Sequence, residues 1–267
     1  MTSPWGKAQA KVAGSSAASS PPPVDTRELR LYGFNAVQAA FARRPEALRK
    51  LYLSDARVAD LKAMLKWCAA NRIGYRVVPE DDLRKLAAST HHEGIVADML
   101  REAPMEFDAW LEALPEGPVC AIWLDGVGNP HNLGAILRSA AHFGASGLLL
   151  PPHSDLQLSG AAARVAEGGA EAVPWVRMGD AASDIDALHR AGFILAATLV
   201  EGGDDVFASP SPSRLIYVMG AEQAGMDRDF ASRCDRRVSI AGTGLVESLN
   251  VASATAVLLA AWASRQH

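Results

Sequence analysis

Apolar runs of strand length alternate with amphipathic stretches of helix length from Leu29 onward. In the first third of the chain this alternation predicts a small α/β layer structure, because strands and segments with a helical repeat follow each other in turn. The predicted elements are the helix LRLYGFNAVQAAFARR, the strand LRKLYLS, the helix ADLKAMLKWCAANR, the strand GYRVVP, the helix EDDLRKLAAS and the strand GIVADML.

A second module with the same alternation is predicted over residues 118–267. Its order fits a mostly parallel sheet with helices on both faces, in which ligands bind beyond the carboxyl ends of the strands. Prolines at 104, 115 and 118 predict a linker over 102–117, which leaves the first module at 27–101. The predicted strands are PVCAIWLDGV, GLLLP, AVPWV, FILAATLV, RLIYVMG and RRVSI, and the predicted helices are NLGAILRSAAHF, SGAAARVAEGGA, DAASDIDALHRA and ESLNVASATAVLLAAWASR, with a short helical stretch after Gly225.

Residues 1–26 differ from both modules, because they are rich in Ala, Ser, Gly and Pro and end in SSPPPVDT. Such a segment buries too little apolar surface to offset its ordering entropy, so a disordered tail is predicted. It lacks the compact apolar core of a secretory signal, and no apolar run in the sequence is long enough to span a bilayer. We therefore expect a soluble, cytoplasmic protein without membrane contacts.

Cysteine and histidine positions argue against a metal or disulfide site. Cys68, Cys120 and Cys234 are far apart in the sequence, which favours free, buried thiols. His91-His92-Glu93 are neighbours, and adjacent side chains on a strand point apart and cannot easily share an ion. We expect a turn or hinge at this cluster and no metal.

The two modules carry opposite charge. Residues 1–101 hold 16 Lys and Arg against 10 Asp and Glu, whereas residues 102–267 hold 10 against 20. A basic module in front of an acidic one indicates an anion-binding surface, with nucleic acid as the leading candidate partner. The basic residues that either meet phosphates or face water are Arg43, Arg44, Arg49, Lys50, Lys62, Lys66 and Arg72.

The polar stretch that begins at Asn129 is the first candidate for chemistry, since it follows a predicted strand. Asn129-Pro130 predicts a turn, and Asn132 is placed to cap the helix that follows. Arg138 lies on a different face of this helix from its apolar residues. The apolar face is formed by Leu133, Ile136, Leu137 and Ala140.

Asp125-Gly126-Val127-Gly128 precedes this helix and superficially resembles a dinucleotide fingerprint. The fingerprint needs a third glycine where this chain has His131, and Gly134 comes too late. A classical nicotinamide or flavin oxidoreductase is therefore rejected.

Two further predicted strands end in glycine-rich loops. RLIYVMG leads into Gly220-Ala221-Glu222-Gln223-Ala224-Gly225, and RRVSI leads into Ala241-Gly242-Thr243-Gly244 before Ser248-Leu249-Asn250. Glycine lets the backbone approach a ligand closely. Three such loops at one end of one parallel sheet predict a composite site.

NPHNLGAILRSAAHFG, YVMGAEQAGM and VSIAGTGLVESLNVASATAVLLA together closely resemble the three signature motifs of the SpoU/TrmH family of SPOUT RNA 2′-O-ribose methyltransferases, in the family's order and spacing. RLYGFNAVQAAF and HHEGIVADM resemble the start and end of that family's RNA-binding domain. The resemblance covers nearly everything after the tail. It implies an α/β fold in which a trefoil-knotted methyltransferase domain follows a small ribosomal-protein-like domain. It also implies S-adenosyl-L-methionine as methyl donor, a ribose 2′-hydroxyl of rRNA or tRNA as acceptor, and a homodimer.

Carried onto this chain, the resemblance implies a site built from all three motifs. Arg138 matches an arginine linked to activation of the ribose hydroxyl, and because guanidinium stays protonated, we expect it to grip the neighbouring phosphate instead of acting as a base. The implied catalytic residues are Asn132, Arg138, Glu222, Ser248 and Asn250, and the implied cofactor-binding residues are Leu199, Val200, Met219, Gly220, Glu222, Ile240, Leu249 and Asn250. The structural alternatives are helix caps for Asn132, Ser248 or Asn250, a first-turn carboxylate for Glu222, and core packing for Ile240 and Leu249.

The third motif departs from the family's pattern. Well-known members have a Pro-Met pair after the strand, where this chain has Ala241-Gly242-Thr243-Gly244. We expect a looser loop to alter the affinity for the cofactor or the choice of RNA. The alternative function is a non-catalytic RNA-binding protein with a degenerate methyltransferase domain.

Overall fold

The computed structural model describes residues 27–220 and 228–266, which form a four-stranded and an eight-stranded sheet. The elements of the first sheet are β1 (Glu28–Tyr32), α1 (Phe34–Arg43), β2 (Leu48–Leu53), α2 (Lys62–Ala70), β3 (Gly74–Val77), α3 (Glu80–Ala87) and β4 (Ile95–Leu100). The strand order is β1-β4-β2-β3, in which β4 is antiparallel to both neighbours and β2 is parallel to β3. Helices α1 and α2 cover one face, and α3 packs on the other.

The second sheet contains the remaining strands in the order β10-β12-β9-β11-β6-β7-β8-β5, and each neighbouring pair is parallel. The expected α/β class with a mostly parallel second sheet is confirmed. The elements are β5 (Met105–Glu106), α4 (Phe107–Ala113), β6 (Val119–Leu124), α5 (Pro130–His142), β7 (Leu148–Leu150), α6 (Gly160–Ala166), α7 (Gly169–Ala172), β8 (Trp175–Arg177), α8 (Ala181–Arg190), β9 (Ile194–Thr198), β10 (Asp204–Asp205), β11 (Arg214–Met219), α9 (Arg228–Arg233), β12 (Arg236–Ser239) and α10 (Val251–Ala263).

Strand β6 shows how the second sheet buries both of its faces. Side chains alternate across a strand, so Ile122 packs on one face and Trp123 on the other. Helices α5, α6 and α10 cover the first face, and α4 and α8 cover the second. This two-sided burial explains why the strands are continuous apolar runs in the sequence.

The predicted helix from Leu29 is wrong in its first part, since residues 28–32 form β1. Leu29 and Leu31 are buried while Arg30 between them is exposed, which is a strand repeat. Arg30 donates hydrogen bonds to both carboxylate oxygens of Asp98 on β4, at 2.6 and 3.0 Å. Gly33, at φ 92°, ends the strand, and α1 begins at the next residue.

The stretch SGAAARVAEGGA forms two helices, not the single predicted one. Glu167 and Gly168 between α6 and α7 both have positive φ, at 52° and 95°, which no α-helix can accommodate. The break turns α7 so that Gly169 lies against the backbone of α5, where a Cβ would come within 2.6 Å of the Leu137 carbonyl oxygen.

The segment 102–117 contains structure of its own, namely β5 and α4. Strand β5 extends the second sheet by pairing with β8. Phe107 and Trp110 of α4 are almost fully buried in the core of that sheet. The segment therefore packs with the second sheet along much of its length.

Two groups of ion pairs join the first sheet's elements to the second. Arg44, which follows α1, donates from Nε and Nη2 to the two carboxylate oxygens of Glu171 on α7, each at 2.9 Å, and both residues are buried. The prediction that Arg44 meets phosphates or water is therefore wrong. Arg164 on α6 pairs with Glu93 in the loop before β4 and with Glu167. The His91-His92-Glu93 cluster thus lies in a loop at the junction between the two sheets.

The three cysteines are buried and unpaired, as predicted. Burial raises the pKa of the Cys234 thiol to about 11. No group of His, Cys, Asp and Glu within the described residues is arranged to hold a metal ion. None of the helices over the same residues is both long and apolar enough to cross a bilayer.

Candidate active site

The carboxyl ends of four neighbouring strands form the floor of the site. Strands β12, β9, β11 and β6 lie side by side in this order and are parallel, so their following loops emerge at one edge. The Asp125 amide donates to the Met219 carbonyl at 2.8 Å, and the Leu199 amide donates to the Val238 carbonyl at 2.9 Å. The carboxyl ends of these strands therefore lie together, as the composite-site prediction requires.

The predicted cofactor-binding residues after β9 and β11 lie at this edge. Met219 is buried at the end of β11, and Gly220 follows it half-buried. Leu199 is half-buried directly after β9, whereas 56% of Val200 is exposed. The motifs did not indicate Thr198, which also lies at this edge. Its hydroxyl donates to the Val218 carbonyl at 2.8 Å and so joins the ends of β9 and β11.

The third loop, 240–250, begins with the half-buried Ile240 after β12 and is exposed from residue 241 onward. Leu249 is 48% exposed and Ser248 is exposed, so neither is a core residue. Ile240 packs against the sheet core, which agrees with its predicted structural alternative. Glu222 lies outside the described residues.

Asn129, and not Asn132, is the N-cap of α5. Its side-chain oxygen accepts a hydrogen bond from the His131 amide at 2.9 Å, and Pro130 occupies the first helical position. Proline suits this position because its missing N–H would have no partner inside the helix. The Asn-Pro pair was a sufficient sequence signal for this boundary, and the prediction that Asn132 caps the helix is wrong.

Asn132 instead contacts Asn250, which lies at the start of α10. The Asn250 amide nitrogen donates to the Asn132 side-chain oxygen at 3.0 Å. Asn250 is also the N-cap of α10, because its side-chain oxygen accepts from the Ala252 amide at 2.9 Å and the Ser253 amide at 3.4 Å. One side chain therefore caps α10 and holds it to the first turn of α5. Both helix N-termini bring partial positive charge to this contact.

Close packing fixes the position of α5. A Cβ on Gly134 would lie 2.5 Å from the Ala162 carbonyl oxygen of α6 and 2.7 Å from the Val165 Cβ. Leu133, Ile136 and Leu137 are fully buried, so the predicted apolar face is confirmed. The helix is thus wedged between α6 and the sheet, and its polar first turn is held rigidly at the strand ends.

Arg138 lies six residues after Asn132 on α5, about 9 Å further along the helix axis. Its side chain is exposed and forms no ion pair or hydrogen bond with the described residues. No hydrogen bond or ion pair among residues 27–220 and 228–266 joins it to Asn132 or Asn250. An exposed guanidinium with all five donors open is suited to an external anion such as a phosphate.

Asp125 and His153 form a second polar pair at the carboxyl ends of β6 and β7. His153 Nε2 lies 3.5 Å from the Asp125 carboxylate, and the histidine is largely exposed. In the sequence, Asp125 stands out only as part of the apparent dinucleotide fingerprint. Its position directly after a buried strand was the available signal that it faces the site edge.

The Asn132–Asn250 contact suggests a direct experiment. Asn250→Ala removes the α10 cap and the link to α5, and a lost cap costs about 0.5–2 kcal/mol of stability. Asn250→Asp keeps an acceptor for the two amides but removes the donor to Asn132. We expect Asp to retain most of the melting temperature and Ala to lower it, while both lose the activity of the site. Full activity in the Asp variant would show that the contact with Asn132 is not needed for activity.

Comparison with known proteins assigns families to both sheets. The family described as SpoU rRNA Methylase matches residues 120–260, and the family described as RNA 2′-O ribose methyltransferase substrate binding matches residues 30–101. The first match contains all three strand-end loops, and the second contains the first sheet.

Two similar curated proteins cover most of this chain. The Escherichia coli O157:H7 protein YfiF, named an uncharacterized tRNA/rRNA methyltransferase, is 37% identical over 88% of this chain and 68% of its own length. The 23S rRNA (guanosine-2′-O-)-methyltransferase RlmB of Ralstonia nicotianae is 35% identical over 86% of this chain and 92% of its own. A solved AdoMet-bound rRNA methyltransferase of Sinorhizobium meliloti has a TM-score of 0.71 at 25% identity and covers 90% of this chain and 88% of its own.

Proposed function

The chain belongs to the SpoU rRNA methylase family, and from this membership we propose that it transfers a methyl group from S-adenosyl-L-methionine to a ribose 2′-hydroxyl of RNA, with ribosomal RNA as the substrate class. The observation that carries the proposal is the contact between Asn132 and Asn250. It joins the first and third family motifs at the edge where the loops of β9, β11 and β12 converge. The enzyme has two parts, a substrate-binding domain around the first sheet and a catalytic domain around the second.

The residues at the strand ends fit the proposed methyl donor. S-adenosyl-L-methionine supplies an electrophilic methyl group on a sulfonium centre. Its adenine and methionine groups need backbone donors and acceptors together with apolar walls, and the loops at Leu199, Gly220 and Ile240 provide both kinds of surface. Leu249 and Val200 add exposed apolar side chains that a bound ligand would cover. Asn250 holds the N-terminus of α10 at the same place, where the partial positive charge of the helix end favours a carboxylate.

Two residues act on the RNA in this proposal. Arg138 grips the phosphate next to the target ribose with two parallel hydrogen bonds and so places the 2′-oxygen for attack. Asn132 orients the acceptor ribose from the first turn of α5. The proton that the 2′-hydroxyl loses passes to the phosphate or to solvent, because a guanidinium cannot accept it. Ser248 and Glu222 remain candidates for contacts to the ribose and the donor.

We also propose that the protein is a homodimer, that its second domain contains a trefoil knot, and that it is located in the cytoplasm. The dimer is supported by three large apolar side chains in the third loop, since 89% of Leu245, 72% of Val246 and 48% of Leu249 are exposed. Exposed apolar groups that lie this close together are typical of interaction surfaces. The knot rests on family membership, and reduced, buried cysteines suit the cytoplasm.

The test uses full-length protein, S-adenosyl-L-methionine with a labelled methyl group, and transcripts that carry no modification. One arm uses 23S rRNA, because the Ralstonia relative is named for it, and the others use 16S rRNA and mixed tRNA. We expect label in a 2′-O-methyl nucleoside after nuclease digestion. RNA binding without any donor binding in calorimetry would instead support the non-catalytic alternative.

A further inference from the structure

A cavity of about 700 Å³ lies between the two domains, and none of the candidate active-site residues lines it. Such a volume is within the range of ligand pockets, roughly 300–1,000 Å³. Its walls come from both domains and from the segment that joins them. The lining includes the starts of β1 and β5, the ends of α1 and β4, the loop 156–158 after β7, and parts of α7 and β8.

The cavity is strongly positive. Five arginines and two glutamates line it, and both glutamates lie beside the same arginine, Arg44, at 2.9 and 3.8 Å. Arg43, Arg101 and Arg177 have no carboxylate partner in the described part of the chain. Arg43 and Arg177 are exposed at the mouth, so their charge is open to an incoming anion.

Arg101, which also lines the cavity, has one buried hydrogen-bond donor that is not used. Its Nη1 donates to the Leu158 carbonyl at 2.8 Å, but its buried Nε has no hydrogen-bond partner among the residues that the structure describes. A buried donor without a partner is energetically costly. An anionic ligand in the cavity would relieve this cost by pairing with the guanidinium.

The cavity also has an apolar surface on which a flat group could lie. Trp175 on β8 is half-buried in the lining, and Met105 on the neighbouring strand β5 is 40% exposed. Leu156 and Leu158 complete this part of the wall. Arginines for phosphates together with an aromatic ring for a base are the combination that proteins use for unpaired nucleotides.

We propose that this cavity holds one unstacked nucleotide of the RNA substrate, away from the nucleotide that is methylated. Its base lies against Trp175, and its phosphates meet Arg43, Arg101 and Arg177. The inference rests on the proposed function in taking RNA as the substrate. In this proposal the RNA contacts both domains, which together form the walls of the cavity.

The experiment measures equilibrium binding of a short, fluorescent single-stranded RNA to the full-length protein without methyl donor, over a range of salt concentrations. Arg43→Glu/Arg177→Glu reverses two exposed charges at the cavity. The matched control, Arg49→Glu/Arg190→Glu, makes the same charge change at exposed arginines outside it. We expect at least about tenfold weaker binding for the first pair, a salt slope smaller by about two, and less than about threefold weakening for the control.

Two further measurements identify the occupant. RNA that carries 5-iodouridine should crosslink on irradiation to the peptide that contains Trp175. Guanosine monophosphate should compete at least about tenfold more weakly than the RNA, because it offers a single phosphate. Equal losses in the two variant pairs, or crosslinks confined to other peptides, would overturn the inference, and equal affinity for the free nucleotide would reassign the cavity to that ligand.

These readouts need neither donor nor turnover. A protein that binds RNA through the cavity and methylates none would overturn the proposed function and leave this inference in place. If the cavity variant bound RNA with unchanged affinity and methylated it, this inference would be overturned and the proposed function would remain in place.

Discussion

Replacing Arg138 by alanine should slow methyl transfer by roughly 100-fold and leave the affinity for S-adenosyl-L-methionine within about twofold. The side chain is exposed, and no described residue pairs with it, so its loss creates no cavity and breaks no ion pair. In the proposed mechanism it positions the acceptor through the neighbouring phosphate, and small displacements of a nucleophile are costly in rate. Single-turnover rates at saturating RNA and donor, together with donor calorimetry, test both halves of this expectation.

Arg138→Lys separates charge from geometry. Lysine keeps the positive charge but lacks the planar fork that binds two phosphate oxygens, so we expect a rate between those of the alanine variant and the native protein. Arg190→Ala, at an exposed arginine on α8, is the matched control and should retain full activity. A native rate in Arg138→Ala, or a parallel loss of donor affinity, would contradict the role that we propose.

Arg44→Ala should destabilise the protein by about 3–5 kcal/mol, the largest stability effect that we expect from a single substitution. It leaves the Glu171 carboxylate buried without the guanidinium that donates two hydrogen bonds to it. It also removes a hydrogen bond from Arg44 to the Leu100 carbonyl. Hydrogen bonding to Glu171 raises the pKa of Arg44, so the guanidinium stays ionised at all ordinary pH values. Thermal and urea unfolding measure the loss.

The double variant Arg44→Met/Glu171→Leu tests the physical cause. Replacing both members of a buried ion pair by apolar residues is often neutral, because neither charge is then left without a partner. We expect it to recover most of the stability that Arg44→Ala loses. Arg49→Ala removes an exposed arginine nearby and should change stability by less than about 0.5 kcal/mol. If the double variant were as unstable as Arg44→Ala, packing at this junction and not charge burial would be the cause.

Features that depend on a local repeat were predictable from the sequence. The buried strands of the second sheet and the apolar face of α5 follow from hydrophobic spacing, and the position of Asn250 as a cap follows from its place before an apolar helix. The convergence of the loops was also predictable, because parallel strands with helical connections end at the same edge.

Features that depend on contacts distant in sequence were not predictable. The sequence predicts a helix at LRLY because the strand repeat of β1 is only five residues long and runs directly into a true helical pattern. The burial of Arg44 depends on Glu171, which lies 127 residues away. The bond between Asn132 and Asn250 spans 118 residues, so neither motif by itself shows which side-chain atom the other will meet.

That separation also sets when the enzyme becomes competent during its own synthesis. At roughly 5–20 residues per second, Asn250 is added about 6–24 s after Asn132, which is 118 positions earlier. Until α10 has been made, α5 lacks the partner that secures its first turn, and the methyl donor lacks the third loop. A nascent chain on the ribosome therefore carries a complete substrate-binding domain long before it carries a complete catalytic one.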